Sequence, residues 1–303
     1  MPRKDALESE FFFCFERTSM QSLWMLAAAF FTSLTAAFAK SGAADFGACE
    51  LLLWRSVFAV LALAGWSLIA GKTLRTKHFA SHMKRSFLGT LGTVIWFWTL
   101  GSLPLGAAIT LNYMSPIYMA AIAAFAALRL GRCPDMRLIA AAAAGFAGVL
   151  IVLRPDFLSA EALPSLIGLT AGMFSTAAYL QIRALIREGE PEWRIVFYFS
   201  LFGVAFGLLG TLLFEGGLTR ITTENILPLL GMGLCAVLSQ LSLTLSWGAR
   251  NPLVTSILQF SAILIAEGIG FLVFGENVSI AAAFGTALII AAGSAAVVIS
   301  RRK

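Results

Sequence analysis

The chain has 303 residues and a formal net charge of +6; 59% of its residues are hydrophobic and only 13% are charged. A soluble domain of this size could not bury so much apolar side chain, so the composition excludes a soluble globular protein and indicates a membrane protein. The positive charge requires no nucleic-acid partner, because the basic residues gather in alternate gaps between apolar segments.

Ten apolar segments of about twenty residues follow one another, and a hydrocarbon core about 30 Å thick requires helices of that length. We predict that each segment is a transmembrane helix, because lipid-exposed backbone must satisfy its own hydrogen bonds and no alternating barrel strands are visible. The predicted spans cover residues 20–40, 49–70, 86–101, 107–128, 136–153, 163–182, 193–214, 226–247, 252–274 and 279–299.

The basic residues predict the orientation. Of the 22 Lys and Arg residues, 18 fall on one side of this arrangement, including Lys84 and Arg85 before span three. Short loops rich in Lys and Arg stay in the cytoplasm, so both termini are expected there. The short loops and the lack of an organellar presequence favour a bacterial inner membrane. Residues 1–19 do not fit a signal peptide, and they are either a cytoplasmic lead-in or lie upstream of a natural start near Met20.

The ten spans divide into two sets of five. Because five is odd, two five-helix repeats must insert with opposite orientations, and such inverted repeats hold solutes between them near the midplane. LRLGR at 128–132 and LVFGE at 272–276 show weak likeness. The expected organisation is a lead-in, a first repeat, a connecting loop, a second repeat and a basic tail, at residues 1–19, 20–153, 154–162, 163–299 and 300–303.

Three stretches, ELLLWRSVFAVLAL at 50–63, LPLGAAITLNYMSPIYMAAIAAF at 103–125 and NPLVTSILQFSAILIAEGIGFLVFGE at 251–276, resemble the drug/metabolite transporter superfamily in its EamA-type branch. The resemblance implies ten helices as two inverted repeats around a central cavity, and transport without ATP hydrolysis. The family often closes each half with Gly-Glu. Here the second half has Gly275-Glu276, but the first has Gly131-Arg132, which disfavours any role that requires paired acids.

Ionisable residues inside spans are costly and tend to face a cavity or a partner. Arg55 is a candidate anion clamp, or else a structural partner of Glu50, of helix carbonyls or of a neighbouring span. Glu267 is a candidate for proton coupling or for binding a solute amine, or else an interhelical hydrogen-bonding residue. Glu50 is expected to be wet or paired with Lys40.

Polar and aromatic residues inside the spans complete the candidate site. Pro116 removes a backbone donor in span four, and interrupted helices often mark solute sites in transporters. Trp24 and Trp98 are further candidates either for the cavity wall or for the membrane interface, whereas Trp66, Trp193 and Trp247 are expected as interface anchors. The predicted substrate-binding or coupling residues are Arg55, Trp96, Asn112, Tyr113, Ser115, Tyr118, Tyr179, Gln240, Gln259, Ser261 and Glu267.

Other chemistry is not supported by the sequence. His78 and His82 lie in a predicted basic loop without a nearby acid in sequence, so a solvated loop is expected and not a zinc site. The four cysteines suggest neither a disulfide framework nor a metal site. We therefore expect no cofactor, no catalytic residues and no enzymatic activity.

These observations predict a secondary transporter of small organic solutes, exporting amino-acid-like or zwitterionic metabolites. The expected partners are the solute, the lipid bilayer, and protons or an exchanged solute. Two alternatives remain open: an uptake carrier for a cofactor or nucleoside-like metabolite, and, from another class, a lipid scramblase or membrane enzyme.

Overall fold

The computed structural model describes residues 24–131, 136–153, 162–248, 258–276 and 279–301, and within these ranges every regular element is a helix. The predicted lead-in, the first residues of spans one and nine and nearly all of the connecting loop lie outside the described residues. The first half contains α1 to α6, at 24–42, Ala48–Ile69, Phe79–Ser102, Leu105–Asn112, Ser115–Arg129 and Met136–Leu153. The second half contains α7 to α11, at Ala162–Arg187, Glu192–Phe214, Ile226–Trp247, Ser261–Phe274 and Ile280–Arg301.

Helix length and composition identify a multi-pass membrane protein. Four of the described helices, α2, α7, α8 and α9, are long and apolar enough to cross a bilayer, and shorter apolar helical stretches occur at 139–148, 261–274 and 280–292. Large apolar side chains such as Phe214 and Leu272 face outward, where a bilayer would cover them. The count of ten spans and the side of each terminus stay predictions.

Contacts between the halves have a two-fold pattern. The most extensive contacts join α2 to α8, α3 to α7 and α6 to α11, and α4 packs against α10. In addition, α2 contacts α9 and α3 contacts α8. If α2 corresponds to α8 and α3 to α9, the contact of α2 with α9 becomes the contact of α8 with α3 when the two halves are exchanged. This pattern supports the hypothesis of an inverted repeat.

The fourth and ninth predicted spans end alike, and the fourth is interrupted. Span four is divided into α4 and α5, and Tyr113 and Met114 lie between them. A turn at Phe260 precedes α10 in span nine. Gly131 after α5 and Gly275 after α10 both adopt left-handed φ angles, of 67° and 63°, which glycine adopts without steric cost. The two glycines that the sequence alignment paired therefore have the same structural role.

Charged side chains join helix ends at one end of the bundle. The Glu215 carboxylate accepts hydrogen bonds from the backbone N–H groups of Cys49 and Glu50 in the first turn of α2, at 2.8 and 3.0 Å. Lys40 forms an ion pair with Glu276 at 3.0 Å, and Glu276 also accepts from the Leu105 N–H at the start of α4. These carboxylates satisfy helix N-termini that lack side-chain caps of their own.

The expected environment of Glu50 is therefore wrong. Glu50 is buried, and its carboxylate accepts hydrogen bonds from the backbone N–H and hydroxyl of Thr219, at 2.9 and 2.7 Å. It is neither wet nor paired with Lys40. The physical reason is that the segment after α8 folds over the first turn of α2, whereas Lys40 meets Glu276 beyond the end of α10.

A second polar cluster forms where the α2–α3 and α7–α8 connections meet. The Glu190 carboxylate accepts a hydrogen bond from Thr76 and forms an ion pair with Arg194 at 3.0 Å. His82 Nε2 lies 3.4 Å from Glu190, and His78 Nδ1 lies 3.2 Å from Glu188. The expected solvated loop is wrong for His82, which is fully buried because α3 begins at residue 79 and not near residue 86.

Candidate solute-binding cavity

A cavity of about 50 Å³ lies where helices from the two halves meet. The first half contributes residues from α1 to α4 and the turn after α4, and the second half contributes residues from α7, α8 and α9. Polar, aromatic and small side chains share the wall, which consists of Thr32, Arg55, Arg85, Gly89, Thr93, Trp96, Asn112, Tyr113, Ser175, Ala178, Tyr179, Phe199, Gln240 and Leu243.

Helix α3 supplies one continuous polar and aromatic face. Four wall residues follow one another along α3 at intervals of four, four and three residues: Arg85, Gly89, Thr93 and Trp96. These intervals place side chains on the same side of an α-helix. Gly89 leaves room for the arginine one turn earlier: a Cβ added at Gly89 would lie 2.0 Å from Arg85 Nη1. The Arg85 side chain therefore extends along α3 past the glycine.

Two buried guanidinium groups share an aromatic neighbour. The Arg85 guanidinium carbon lies 4.0 Å from the centroid of the Phe199 ring, and that of Arg55 lies 5.2 Å from it. Arg55 donates to the Thr93 hydroxyl and Arg85 donates to Gln240 Oε1, both at 3.5 Å. Aromatic faces attract guanidinium groups and can hold them in place in a desolvated site.

The interruption between α4 and α5 provides another part of the wall. Asn112 ends α4 and Tyr113 follows it, and both side chains are buried at the cavity. The Ser175 hydroxyl of α7 donates to Asn112 Oδ1 at 2.8 Å. Pro116 is the second residue of α5 and has no backbone N–H. A continuous helix through this point would therefore lack one hydrogen bond to the carbonyl group of the residue four positions earlier.

A buried network supports Tyr179 from behind the cavity wall. The Ser115 hydroxyl donates to Gln259 Oε1 at 3.1 Å, and Gln259 Nε2 donates to the Tyr179 hydroxyl at 3.5 Å. The Tyr179 ring stacks on Trp247 with centroids 5.1 Å apart. The network links the start of α5 and the segment just before α10 to one aromatic residue of the wall.

The predicted site residues separate into two groups. Those at the cavity wall are Arg55, Trp96, Asn112, Tyr113, Tyr179 and Gln240. Ser115 and Gln259 belong to the network behind the wall.

The remaining three predicted site residues lie elsewhere. The Tyr118 hydroxyl donates to the Leu169 carbonyl at 2.8 Å, and the Ser261 hydroxyl donates to the Leu258 carbonyl at 2.6 Å. Glu267 accepts from the Thr286 hydroxyl at 2.8 Å, in the contact between α10 and α11. Its role in coupling stays a prediction.

Arg85 is the principal wall residue that the sequence analysis placed elsewhere. The distribution of basic residues predicts a cytoplasmic loop for Arg85, but Arg85 is buried in α3. The spacing of Arg85 to Gly89, Thr93 and Trp96 could have indicated the shared face. Among the aromatic residues, Trp24 and Trp98 are exposed and do not line the cavity, which leaves the interface alternative for both. Trp247, expected as an interface anchor, is buried.

The cavity is much smaller than a typical metabolite site. Sites for metabolites typically have volumes of about 300–1,000 Å³, so a metabolite would require the surrounding helices to separate. Among the described residues, no group of three or more His, Cys, Asp or Glu side chains is arranged to hold a metal ion. The available chemistry in the wall is hydrogen bonding, aromatic stacking and attraction of negative charge.

Fold and cavity together describe a multi-pass membrane protein with a polar and aromatic cavity between its two halves. Residues 19–154, in the N-terminal half of the chain, match the EamA-like transporter family. This match confirms the resemblance to EamA-type drug/metabolite transporters that the sequence predicted.

Relatives cover nearly the whole chain. The chain is 25% identical to the pseudopaline exporter CntI of Pseudomonas aeruginosa, over 88% of this chain and 91% of that protein. It is 26% identical to a riboflavin transporter of Vibrio cholerae, over 84% of this chain and 85% of the relative, and 28% identical to one of Rhizobium johnstonii, over 82% and 80%. A protein of known crystal structure superposes with a TM-score of 0.67, covering 94% of this chain and 98% of its own at 20% identity, which shows the shared fold alone.

Proposed function

We propose that the protein is a secondary transporter of a small organic metabolite in the bacterial inner membrane, and that it exports this solute by alternating access through the central cavity. The observation that carries the proposal is the composition of the cavity wall. Helices α2, α3 and α4 of the first half and α7, α8 and α9 of the second each contribute to it. A rocking movement of one half against the other would expose such a site to each side in turn.

The relatives support this assignment and one alternative. Export is supported by the similarity to a pseudopaline exporter. The similarity to two riboflavin transporters favours the second candidate, a carrier for a cofactor-like metabolite with an aromatic ring system. Trp96, Tyr179 and Phe199 in the wall would contact such a ring by stacking.

A bulky side chain introduced into the cavity tests whether the solute passes through it. Ala178 lines the cavity and is buried, so Ala178→Phe places a ring in the space that the solute would occupy. Purified protein in proteoliposomes would be assayed for flux of amino acids, organic acids and riboflavin, with and without a pH gradient. We expect at least one solute to be carried, and we expect Ala178→Phe to reduce its flux about tenfold or more, because solute and ring exclude each other.

Ala62→Phe provides the matched control, because Ala62 lies on the exposed surface of α2. It should retain wild-type flux, and both variants should elute as monodisperse protein. Absence of flux for every solute would contradict the proposal. Rapid exchange of labelled lipid between leaflets, unaffected by Ala178→Phe, would favour a scramblase instead.

A further inference from the structure

The cavity contains two positive charges without a counter-charge. Arg55 and Arg85 are only 4% and 2% exposed. In the part of the chain that the structure describes, no carboxylate forms an ion pair with either of them. Arginine remains protonated in proteins, and an uncompensated buried charge is strongly unfavourable. An anion in the cavity would supply the missing compensation.

The hydrogen-bonding groups of the wall point to the same chemistry. Nε and Nη1 of Arg85 and Nε1 of Trp96 are buried and have no acceptor among the described residues. The hydrogen bonds that the two arginines do make, to Thr93 and Gln240, are long at 3.5 Å. Buried donors almost always have partners in proteins. Several such donors at one cavity indicate a ligand rich in acceptor atoms.

The aromatic contact keeps the two charges near each other. The centroid of the Phe199 ring lies 4.0 Å from the guanidinium carbon of Arg85 and 5.2 Å from that of Arg55. Cation–π attraction to this ring offsets part of the repulsion between the two guanidinium groups. A guanidinium group presents a planar fork of donors that matches the oxygens of a carboxylate or a phosphate. Two forks beside one ring therefore suit an organic oxyanion better than a simple halide.

We propose that the transported solute carries a net negative charge and that its oxyanion group, a carboxylate or a phosphate, binds between Arg55 and Arg85. The inference rests on the proposed function and narrows it. The described wall contains no Asp or Glu side chain that would bind the amine of a zwitterion. An anionic metabolite thus fits this cavity better than the zwitterionic one that the sequence predicted, and Arg85 becomes a solute-binding residue.

Ligand-dependent thermal stability of the purified protein tests this directly. The probes are succinate and glycerol 3-phosphate as anions, succinamide as the neutral analogue and putrescine as the cation. We expect succinate or glycerol 3-phosphate to raise the melting temperature in a saturable manner, and the more effective of the two identifies the oxyanion. Succinamide and putrescine should have no such effect, because neither presents negative charge.

Substitutions at the arginines should remove the response. Arg55→Gln and Arg85→Gln are expected to weaken anion binding roughly tenfold or more, because each removes charge-assisted hydrogen bonds. Arg220→Gln is the matched control, since Arg220 is exposed and does not line the cavity. Each variant would be compared without ligand by elution profile and melting temperature to establish that it folds.

A second variant displaces the charge without removing it. Gly89→Ala would place a methyl group 2.0 Å from Arg85 Nη1 and 3.0 Å from the Phe199 ring, so the end of the Arg85 side chain must move, while alanine favours the helix more than glycine does. It should therefore weaken anion binding, and its elution profile and its melting temperature without ligand would establish that it folds. Gly65→Ala in α2 is its control, because an added Cβ there meets no atom within 4 Å.

Three results would overturn the inference: no stabilisation by either anion, stabilisation that persists in both glutamine variants, or stronger stabilisation by putrescine. The proposed function fails separately. Saturable anion binding without flux of any solute would contradict transport but retain the anion site. Flux of a neutral or cationic solute that Arg85→Gln leaves unchanged would retain transport but overturn the anion site.

Discussion

At the scale of single residues, Glu190 is the centre of the polar cluster where two connections meet. Burial raises the pKa of its carboxyl, but hydrogen bonds from Thr76 and Arg194, together with the neighbouring His82, outweigh burial and hold that pKa below its usual range. The folded state therefore favours the ionised form. The stabilisation is fully present above the unfolded pKa of about 4.3 and is lost as the pH falls through the lowered folded value.

This linkage predicts the pH dependence of Glu190→Gln. At pH 7 the variant should melt at a lower temperature than the wild type, by about 2–4 °C for each kcal/mol of hydrogen bonding lost. The difference should stay constant down to about pH 5 and diminish below about pH 4, where the wild-type carboxyl becomes protonated. Melting temperatures of the purified protein across this range provide the measurement.

The control for this prediction is Glu224→Gln, because Glu224 is an exposed acid away from the cluster. It should melt within about one degree of the wild type at every pH, as surface substitutions usually have small effects. A difference between Glu190→Gln and wild type that grows toward low pH would contradict the assignment.

Individual residues also show what the sequence could not provide. Arg55 is predictable as a cavity candidate because a charge inside an apolar run must face either a cavity or a structural partner, and the sequence leaves both alternatives open. Arg85 was missed because it follows Lys84 and lies next to a basic loop, so its local sequence is that of a topogenic charge. Only the extension of α3 to residue 79 shows that both Arg85 and His82 lie within the helical bundle.

At the scale of helices, the contact between α2 and α8 depends on missing side chains. A Cβ at Gly207 would lie 2.8 Å from the Leu53 nitrogen and 3.0 Å from the Cys49 carbonyl oxygen. At Gly203 it would lie 2.4 Å from the Ser56 hydroxyl oxygen. The four-residue spacing thus allows the two backbones to approach closely, as in other membrane helix pairs.

Gly207→Ala should therefore destabilise the bundle by about 1–3 kcal/mol through overpacking, even though alanine is the better helix former. The melting temperature in detergent measures the effect, and Gly65→Ala on the open face of α2 should show no decrease. Equal melting temperatures for Gly207→Ala and wild type would mean that the helices are not held at this separation.

Element positions were more accessible to sequence reasoning than element contacts. Span eight was predicted at 226–247, and α9 has the same bounds. Span four was predicted as one segment with a disruptive proline, and it is divided into two helices just before that proline. Apolar runs and proline are local signals, whereas the stacking of Trp247 on Tyr179 depends on the arrangement of α7 and α9, which no local pattern encodes.

At the scale of the whole molecule, the cavity is formed by helices of both halves, and no single helix supplies most of its wall. Its residues come from the interiors of several helices, so relative movement of the halves would change access to it without unfolding any helix. The length of the apolar runs and the distribution of basic residues predicted a helical membrane transporter. The proposed anionic character of the solute depends on Arg55 and Arg85, which lie beside the same Phe199 ring and which no sequence pattern brings together.

Access to the cavity from the two sides of the membrane tests the central claim most directly. A single cysteine would be introduced as Ser175→Cys in a chain whose natural cysteines, Cys14, Cys49, Cys133 and Cys235, are replaced by alanine. Ser175 is a cavity residue, and the substitution changes little in size. Ala62→Cys on the exposed face of α2 serves as the control that only lipid should surround.

Labelling with a membrane-impermeant maleimide would be measured in right-side-out and in inverted vesicles. Alternating access predicts that Ser175→Cys is modified in both preparations, while Ala62→Cys is modified in neither. Modification of Ser175→Cys from one side only, at every time and temperature tested, would contradict a cavity that opens to both faces of the membrane.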